Sequence, residues 1–234
     1  MNATTVALLK RVSTATLTTQ LFKRGLRNVF MQGVRPLGGL AENLVGPAYT
    51  LRNIPAREDI DRVEGFANPE HPQRKAVENA PAGHVMVIDC RGDPRVASAG
   101  EILATRLMVR GAAGLVSDGG LRDSASIAAM AMPVFCSGPS APLNLVQHHA
   151  VDINVPIACG GVAVYPGDMI VGDADGVVVV PAHLADEIAV EGAAQEEMEA
   201  FLLTRIQQGA TLPGTYPPNE ATRAAYAAWK AGRS

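Results

Sequence analysis

Residues 84–136 read HVMVIDCRGDPRVASAGEILATRLMVRGAAGLVSDGGLRDSASIAAMAMPVFC, and the hydrophobic period changes repeatedly along them. His84 to Asp89 is an apolar strand ending on a carboxylate, entered through the turn Pro81-Ala82-Gly83. Gly100 to Arg110 carries Ile102, Leu103, Leu107 and Met108 as an apolar stripe at helical spacing, and Gly111 is placed to end that helix. Ala113 to Ser117 is a second strand. After Asp118-Gly119-Gly120 and Leu121-Arg122-Asp123 a short helical stretch runs through Met130, and Val134 to Cys136 follows Pro133 as a third strand. This alternation of strand and helix is the signature of parallel pairing through right-handed crossovers, hence of an α/β fold.

Working outward, Thr4 to Arg24 reads as two helical pieces, with Ser13 or Thr14 available to cap the second before Leu17, Leu21 and Phe22. A Gly-rich connector spans Gly33 to Gly39. Val45 to Leu51 reads as a strand whose Gly46-Pro47 start suits a sheet edge or a bulge. Arg57 to Pro72 is charged and irregular, a loop, and Arg74 to Asn79 has the makings of a short helix. Beyond Pro156 come hairpin turns at Gly160-Gly161, Tyr165 to Asp168 and Gly172 to Gly176, the last leading into the apolar strand Val177 to Val180. A long amphipathic helix is expected from His183 to about Gln208, acidic at Glu191, Glu196, Glu197 and Glu199, followed by a tail over 209–234.

Composition narrows the function classes. Of the 234 residues 47% are hydrophobic and 18% charged, which excludes a disordered chain, and only 4% are aromatic, so the core is aliphatic and stacking of ligands on rings is disfavoured. Twenty Lys and Arg against 23 Asp and Glu, with no basic stripe, argue against nucleic-acid binding. The apolar run Val6 to Leu9 is too short for a signal sequence, and no run approaches membrane-spanning length. Cys90, Cys136 and Cys159 are widely spaced and odd in number, which fits packing in a reducing, cytoplasmic compartment.

The densest polar cluster follows a strand, at Asp118 to Asp123, where open α/β sheets bind ligands. An arginine there can hold a carboxylate bidentately, and the adjacent aspartate can give one hard oxygen to Mg²⁺ or Mn²⁺. The alternative is that Arg122 and Asp123 pair with neighbours or cap the next helix. Gly100 to Leu103 opens a helix, where free backbone N–H groups attract anions. Glu101 and Arg122 are one helix and one strand apart, which returns the chain to the same sheet edge and makes the two loops neighbours. Other clusters read as structural. His148 and His149 point to opposite faces of an extended segment and do not readily share one ion, and Asp173-Ala174-Asp175-Gly176 is a tight turn without the later ligands of a calcium loop.

That acidic-then-Arg-Asp spacing resembles the signature of the RraA-like family, which includes the 4-hydroxy-4-methyl-2-oxoglutarate aldolases. The resemblance extends to Ser13 to Leu17, Val45 to Thr50, Gly111 to Asp123 and Val164 to Pro181, and covers roughly residues 10–208 of a single domain spanning 1–234. It implies an α/β fold, an αββ sandwich of the swivelling-domain type with flanking N- and C-terminal helices, assembling as a homotrimer or hexamer with sites between subunits. By the same resemblance, Gly100, Glu101, Ile102 and Leu103 bind the carboxylate of a small 2-oxo acid, Arg122 its keto-acid end, and Asp123 anchors Mg²⁺ or Mn²⁺. Glu101 takes the place of a catalytic acid, and Glu196, Glu197 or Glu199 reaches a neighbouring subunit's site. The implied activity is divalent-metal-dependent aldol cleavage of a 4-hydroxy-2-oxo acid, or decarboxylation of oxaloacetate, releasing pyruvate. The competing expectations are inhibition of ribonuclease E by direct binding, and dehydration or hydrolysis of another sugar-derived keto acid. Thr18-Thr19-Gln20-Leu21 departs from the Asp-containing segment of many relatives, and the Arg57 to His71 loop does not align with the family's pattern. No Gly-rich strand-to-helix loop of the methyl-donor type occurs in the first half.

Overall fold

The computed structural model describes residues 2–233; Met1 and Ser234, the ends of the expected domain, lie outside the described residues. Two helices open the chain, α1 (Ala3–Leu9) and α2 (Thr14–Lys23), the second capped by the Ser13 side chain. Then come β1 (Arg35–Pro36), β2 (Leu44–Pro55), a 3-10 turn at Val63–Ala67, α3 (Pro72–Asn79), β3 (Val85–Asp89), β4 (Ala97–Ala99) and α4 (Glu101–Val109). The middle continues with β5 (Gly114–Ser117), β6 (Gly120–Leu121), α5 (Ser124–Ala128), β7 (Val134–Cys136), β8 (Gly138–Pro139) and β9 (His148–Ile153). The hairpins β10 (Ile157–Cys159) with β11 (Val162–Val164) and β12 (Met169–Asp173) with β13 (Gly176–Val180) precede the long helix α6 (Ala185–Gln207) and α7 (Glu220–Ala231). No helix among the described residues is long and apolar enough to cross a membrane.

The main sheet runs β1-β7-β5-β3-β2-β12-β13, with β9 also paired to β2. The expected parallel core is present: β2, β3, β5 and β7 pair in parallel with α3 and α4 as crossovers. The end of α4 is a Schellman motif. Gly111 N–H reaches the Met108 carbonyl, Ala112 N–H reaches Leu107, and Gly111 sits at φ 80°.

Two expectations need correction. Gly46 and Pro47 mark no bulge, and they are open on one side only: both pair with β12, while pairing with β3 begins at Ala48 and makes the rest of β2 central. A Cβ on Gly46 would lie 2.6 Å from the Gly83 carbonyl oxygen, so this glycine permits close approach of a neighbouring turn. Pro47 is tolerated because the neighbouring Ala48 N–H is the one turned to the β12 side, reaching the Asp168 carbonyl, so the Pro47 nitrogen faces the other edge, ahead of the first β3 pair at Ala48. The irregularity of β2 lies later, between Arg52 and Asn53 against β9. The α4 stripe is narrower than its periodicity implies: Ala104 and Leu107 are buried, but Ile102 is 83% exposed. In the tail, α7 packs Tyr226 and Trp229 against Phe201 of α6.

Three aliphatic clusters hold the layers. One lies under α3 and α4 around Leu51, Met86, Leu107 and Leu115. Another fills the space between the sheet and the β10–β11 hairpin around Val87, Phe135 and Ile170, and the third seats α1, α2 and α6 on β12 and β13. All three cysteines are buried and free, as packing requires, and burial pushes the Cys90 thiol up to about 12.

Candidate active site

A second, three-stranded sheet too short to be visible in the hydrophobic pattern builds the site. β4 pairs in parallel with β6, Ala97 opposite Gly120 and Ala99 opposite Leu121, and β6 pairs with β8. The Arg122 N–H continues this ladder to the Ala99 carbonyl at 3.1 Å. The start of α4, which follows β4, and the pair Arg122-Asp123, which follows β6, therefore emerge side by side. Gly100 makes the juxtaposition possible: a Cβ there would lie 2.8 Å from Asp123 Oδ2 and 2.9 Å from Arg122 Cγ.

Asp123 Oδ2 accepts the Glu101 backbone N–H at 3.1 Å and Arg122 Nε at 3.3 Å. Oδ1 accepts no hydrogen bond from the described residues. Asp123 occupies the N-cap of α5 in the left-handed region, φ 55° and ψ 36°, yet its side chain makes no capping bond to that helix. A non-glycine residue held there, with its side chain not spent on the helix it precedes, is the kind of strain that clusters at ligand sites. Arg122 and Asp123 do pair with each other, but at 3.3 Å and half exposed, which is a weak tie.

These groups open onto a cleft of about 150 Å³. It is lined by Phe66, Gln73, Arg74, Ala97, Ser98, Ala99, Gly100, Ile102, Leu103, Arg122, Asp123, Leu143 and Asn144. The N–H groups of Ile102 and Leu103 belong to the first turn of α4, so they have no acceptor within the helix and lie at its positive end. The Glu101 N–H is already used by Asp123, and the Glu101 side chain is exposed, outside the lining and without a hydrogen-bond partner among the described residues.

Sequence reasoning did not find Phe66, Gln73, Arg74, Leu143 or Asn144. Gln73 and Arg74 begin α3, where Pro72 at the first helical position sets the start two residues earlier than expected. Arg74 stacks over the Phe66 ring, 4.5 Å from its centroid, and burial draws its pKa below the ordinary arginine value. The only advance signal was the charge of the 57–72 loop, which fixes no position.

The three candidate glutamates of α6 do not line this cleft. Glu196 accepts the Ser13 N–H at 2.9 Å at the start of α2; burial opposes its charge, but Ser13 and Thr16 hold its carboxyl below the usual range. Glu197 pairs with Lys230 and accepts the Tyr226 hydroxyl at 3.1 Å. Among the described residues Glu199 accepts only from Gln195 of its own helix, at 2.8 Å, and it borders an apolar groove with Leu203 and Tyr216.

Among the described residues no group of three or more His, Cys, Asp and Glu side chains is arranged to hold a metal ion. A cation at this site would be held by Asp123, with water and substrate oxygens completing its shell. That is the habit of Mg²⁺, and the free Oδ1, a hard carboxylate oxygen, suits it.

A family model described as RraA-like, Aldolase/RraA, matches residues 14–179. A protein of Halalkalibacterium halodurans provisionally named 4-hydroxy-4-methyl-2-oxoglutarate aldolase is 45% identical over 157 residues, covering 67% of this chain and 68% of that protein. The solved structure of a Streptomyces coelicolor protein, described as an unusual member of the RNase ES inhibitor RraA family, superposes with a TM-score of 0.76 at 31% identity. That alignment covers 86% of this chain and 96% of the other. An uncharacterised protein from Pseudomonas syringae pv. tomato shares the fold with a TM-score of 0.78 at 24% identity, over 92% of this chain and 98% of its own. The match over most of the chain, on the same loops that build the cleft, shows that this protein belongs to the RraA-like family.

Proposed function

We propose that the protein is a divalent-metal-dependent carbon–carbon lyase that releases pyruvate from a 4-hydroxy-2-oxo acid resembling 4-hydroxy-4-methyl-2-oxoglutarate, or from oxaloacetate. The observation that carries this reading is the convergence of Arg122, an under-satisfied Asp123 and the first-turn amides of α4 on one small cleft. The relatives named as aldolases support it.

In this reading the Ile102 and Leu103 N–H groups receive the C1 carboxylate, and the Arg122 guanidinium hydrogen-bonds the C2 oxo group, where negative charge grows as the C3–C4 bond breaks. Asp123 holds Mg²⁺ or Mn²⁺, which when bound supplies Lewis-acid stabilisation to the same developing charge. Glu101, between Gly100 and Ile102 of the lining, accepts the C4 hydroxyl proton through a water; the C3–C4 electron pair moves into the C2 oxo group, and a proton returned to C3 completes pyruvate. With oxaloacetate the same electron movement expels carbon dioxide and needs no C4 hydroxyl proton.

Assembly as a homotrimer or hexamer belongs to the proposal. The chain exposes 11490 Å², where a globular protein of its mass exposes about 10,000 Å², and the excess includes apolar side chains such as Ile102 beside the cleft. Of the α6 acids, Glu199 has the fewest ties within the chain and is the one we assign to a neighbouring site.

The test is pyruvate release from both substrates with Mg²⁺ or Mn²⁺ and with excess EDTA, for wild type and Asp123→Asn. Release that needs the ion and Asp123 supports the lyase. No release by wild type with either ion rejects it, and binding to ribonuclease E becomes the next assay.

A further inference from the structure

Among the described residues Arg74 forms no ion pair with an acid. We propose that it binds the distal carboxylate of the substrate, so that the cleft selects dicarboxylic 2-oxo acids; this rests on the reading of the cleft given above. Gln73 Nε2 ties the first turn of α3 to the Ser98 carbonyl at 2.6 Å, while the next carbonyl of β4, that of Ala99, goes to the Arg122 N–H. Successive carbonyls of an extended strand face opposite edges, so α3 and the Arg122 loop flank β4 from opposite sides and both arginines open on the cleft beside it.

The Arg74 guanidinium is half buried, fixed over Phe66, and makes no ion pair or hydrogen bond with the described residues. Of the acids nearest in sequence, Glu70 is committed to Lys75, Glu78 to Arg106 and Asp61 to His149, and Glu64, on the turn that carries Phe66, forms no ion pair with Arg74. A partly desolvated cation costs free energy unless an anion or a ligand compensates it, and the open side of Arg74 is the cleft. The cleft's 150 Å³ equals roughly five waters, room for a short dicarboxylate. Because the α4 amides and Arg122 account for the C1 carboxylate and C2 oxo group, Arg74 is left for a second negative charge at the other end of the molecule.

Calorimetric titration with 2-oxoglutarate and with 2-oxopentanoate, which replaces the distal carboxylate by a methyl group, tests this in the presence of Mg²⁺. Wild type should bind 2-oxoglutarate about tenfold more tightly, the size of one charge-assisted hydrogen bond. Arg74→Gln should bind both alike, Arg74→Lys should retain part of the preference, and unchanged 2-oxopentanoate affinity shows that each variant is folded. A wild type with no preference, or an Arg74→Gln protein that keeps it, overturns the proposal. A pyruvate-release assay separates the two readings. If wild type releases none, the lyase fails while the titration still decides Arg74. If it does release pyruvate, Arg74→Gln should raise KM for 4-hydroxy-4-methyl-2-oxoglutarate about tenfold with kcat little changed, and an unchanged KM rejects Arg74 alone.

Discussion

Asp118 and Asp123 stand five residues apart in one loop segment and have opposite surroundings. Asp118 is buried and accepts three backbone N–H groups, from Cys90 at 2.6 Å, Gly92 at 2.9 Å and Gly160 at 3.1 Å. It staples the loop after β3 and the turn between β10 and β11 to its own. Burial pushes its carboxyl pKa up, and those N–H donors work against the rise. Asp123 is half exposed, held in a left-handed conformation, and its Oδ1 accepts no hydrogen bond from the described residues. A carboxylate whose acceptor capacity is consumed by the fold is structural; one with spare capacity facing a cleft is available to a ligand.

The sharpest way to break this contrast is to remove each charge in turn. Asp123→Asn preserves a residue tolerant of the left-handed region, so it should leave the melting temperature near wild type while metal-dependent turnover falls by at least about a thousandfold, roughly 4 kcal/mol of transition-state stabilisation. A variant that retains activity would move the metal elsewhere, and one that unfolds would erase the distinction from Asp118. Asp118→Ala should do the reverse, costing about 3 kcal/mol of stability as three buried N–H groups lose their acceptor, read by urea denaturation. Whatever fraction stays folded should still bind Mg²⁺.

Arg122→Lys tests the geometry of the exposed region. A point charge does not reproduce the planar fork, and kcat/KM should fall about a hundredfold, roughly 2.7 kcal/mol; near-wild-type kinetics would remove Arg122 from the reaction. The smallest effect concerns the buried region. His148 is 1% exposed, packs beside Arg91 in the loop that Asp118 staples, and burial brings its pKa down to about 4. Because the unfolded imidazole titrates near 6.5, the unfolded chain binds the extra proton between about pH 6.5 and 4, and stability falls as pH drops through that window, by about 2 kcal/mol from pH 7 to 4.5. The raised carboxyls of Asp89 and Asp118 oppose the loss at its acid end. His148→Asn should flatten the profile of melting temperature against pH, and an unchanged profile would place the acid sensitivity elsewhere.

Much of this molecule is written in short-range signals. Alternation of apolar strands with helices, Ser13 as a cap and Gly111 as a helix end each depend on neighbours a few residues away, and each is where the sequence places it. The length of the segment between Glu101 and Arg122 was enough to make their loops neighbours, because one helix and one strand return the chain to the same sheet edge. What failed did so for tertiary reasons: whether Gly46-Pro47 starts an edge or a central strand depends on β12, which arrives more than a hundred residues later.

The sequence by itself determined the alternation of strands and helices and the meeting of the Gly100–Leu103 turn with Arg122-Asp123, since hydrophobic period, turn chemistry and motif spacing are local properties of the chain. Only the tertiary structure decided which carboxylate is spent on the fold and which is free, and that Arg74 joins Arg122 at one cleft. Those facts arise from partners distant in sequence, such as Gly160 for Asp118 and Ser98 for Gln73, and a hydrogen bond's availability is defined only once all its competitors are in place.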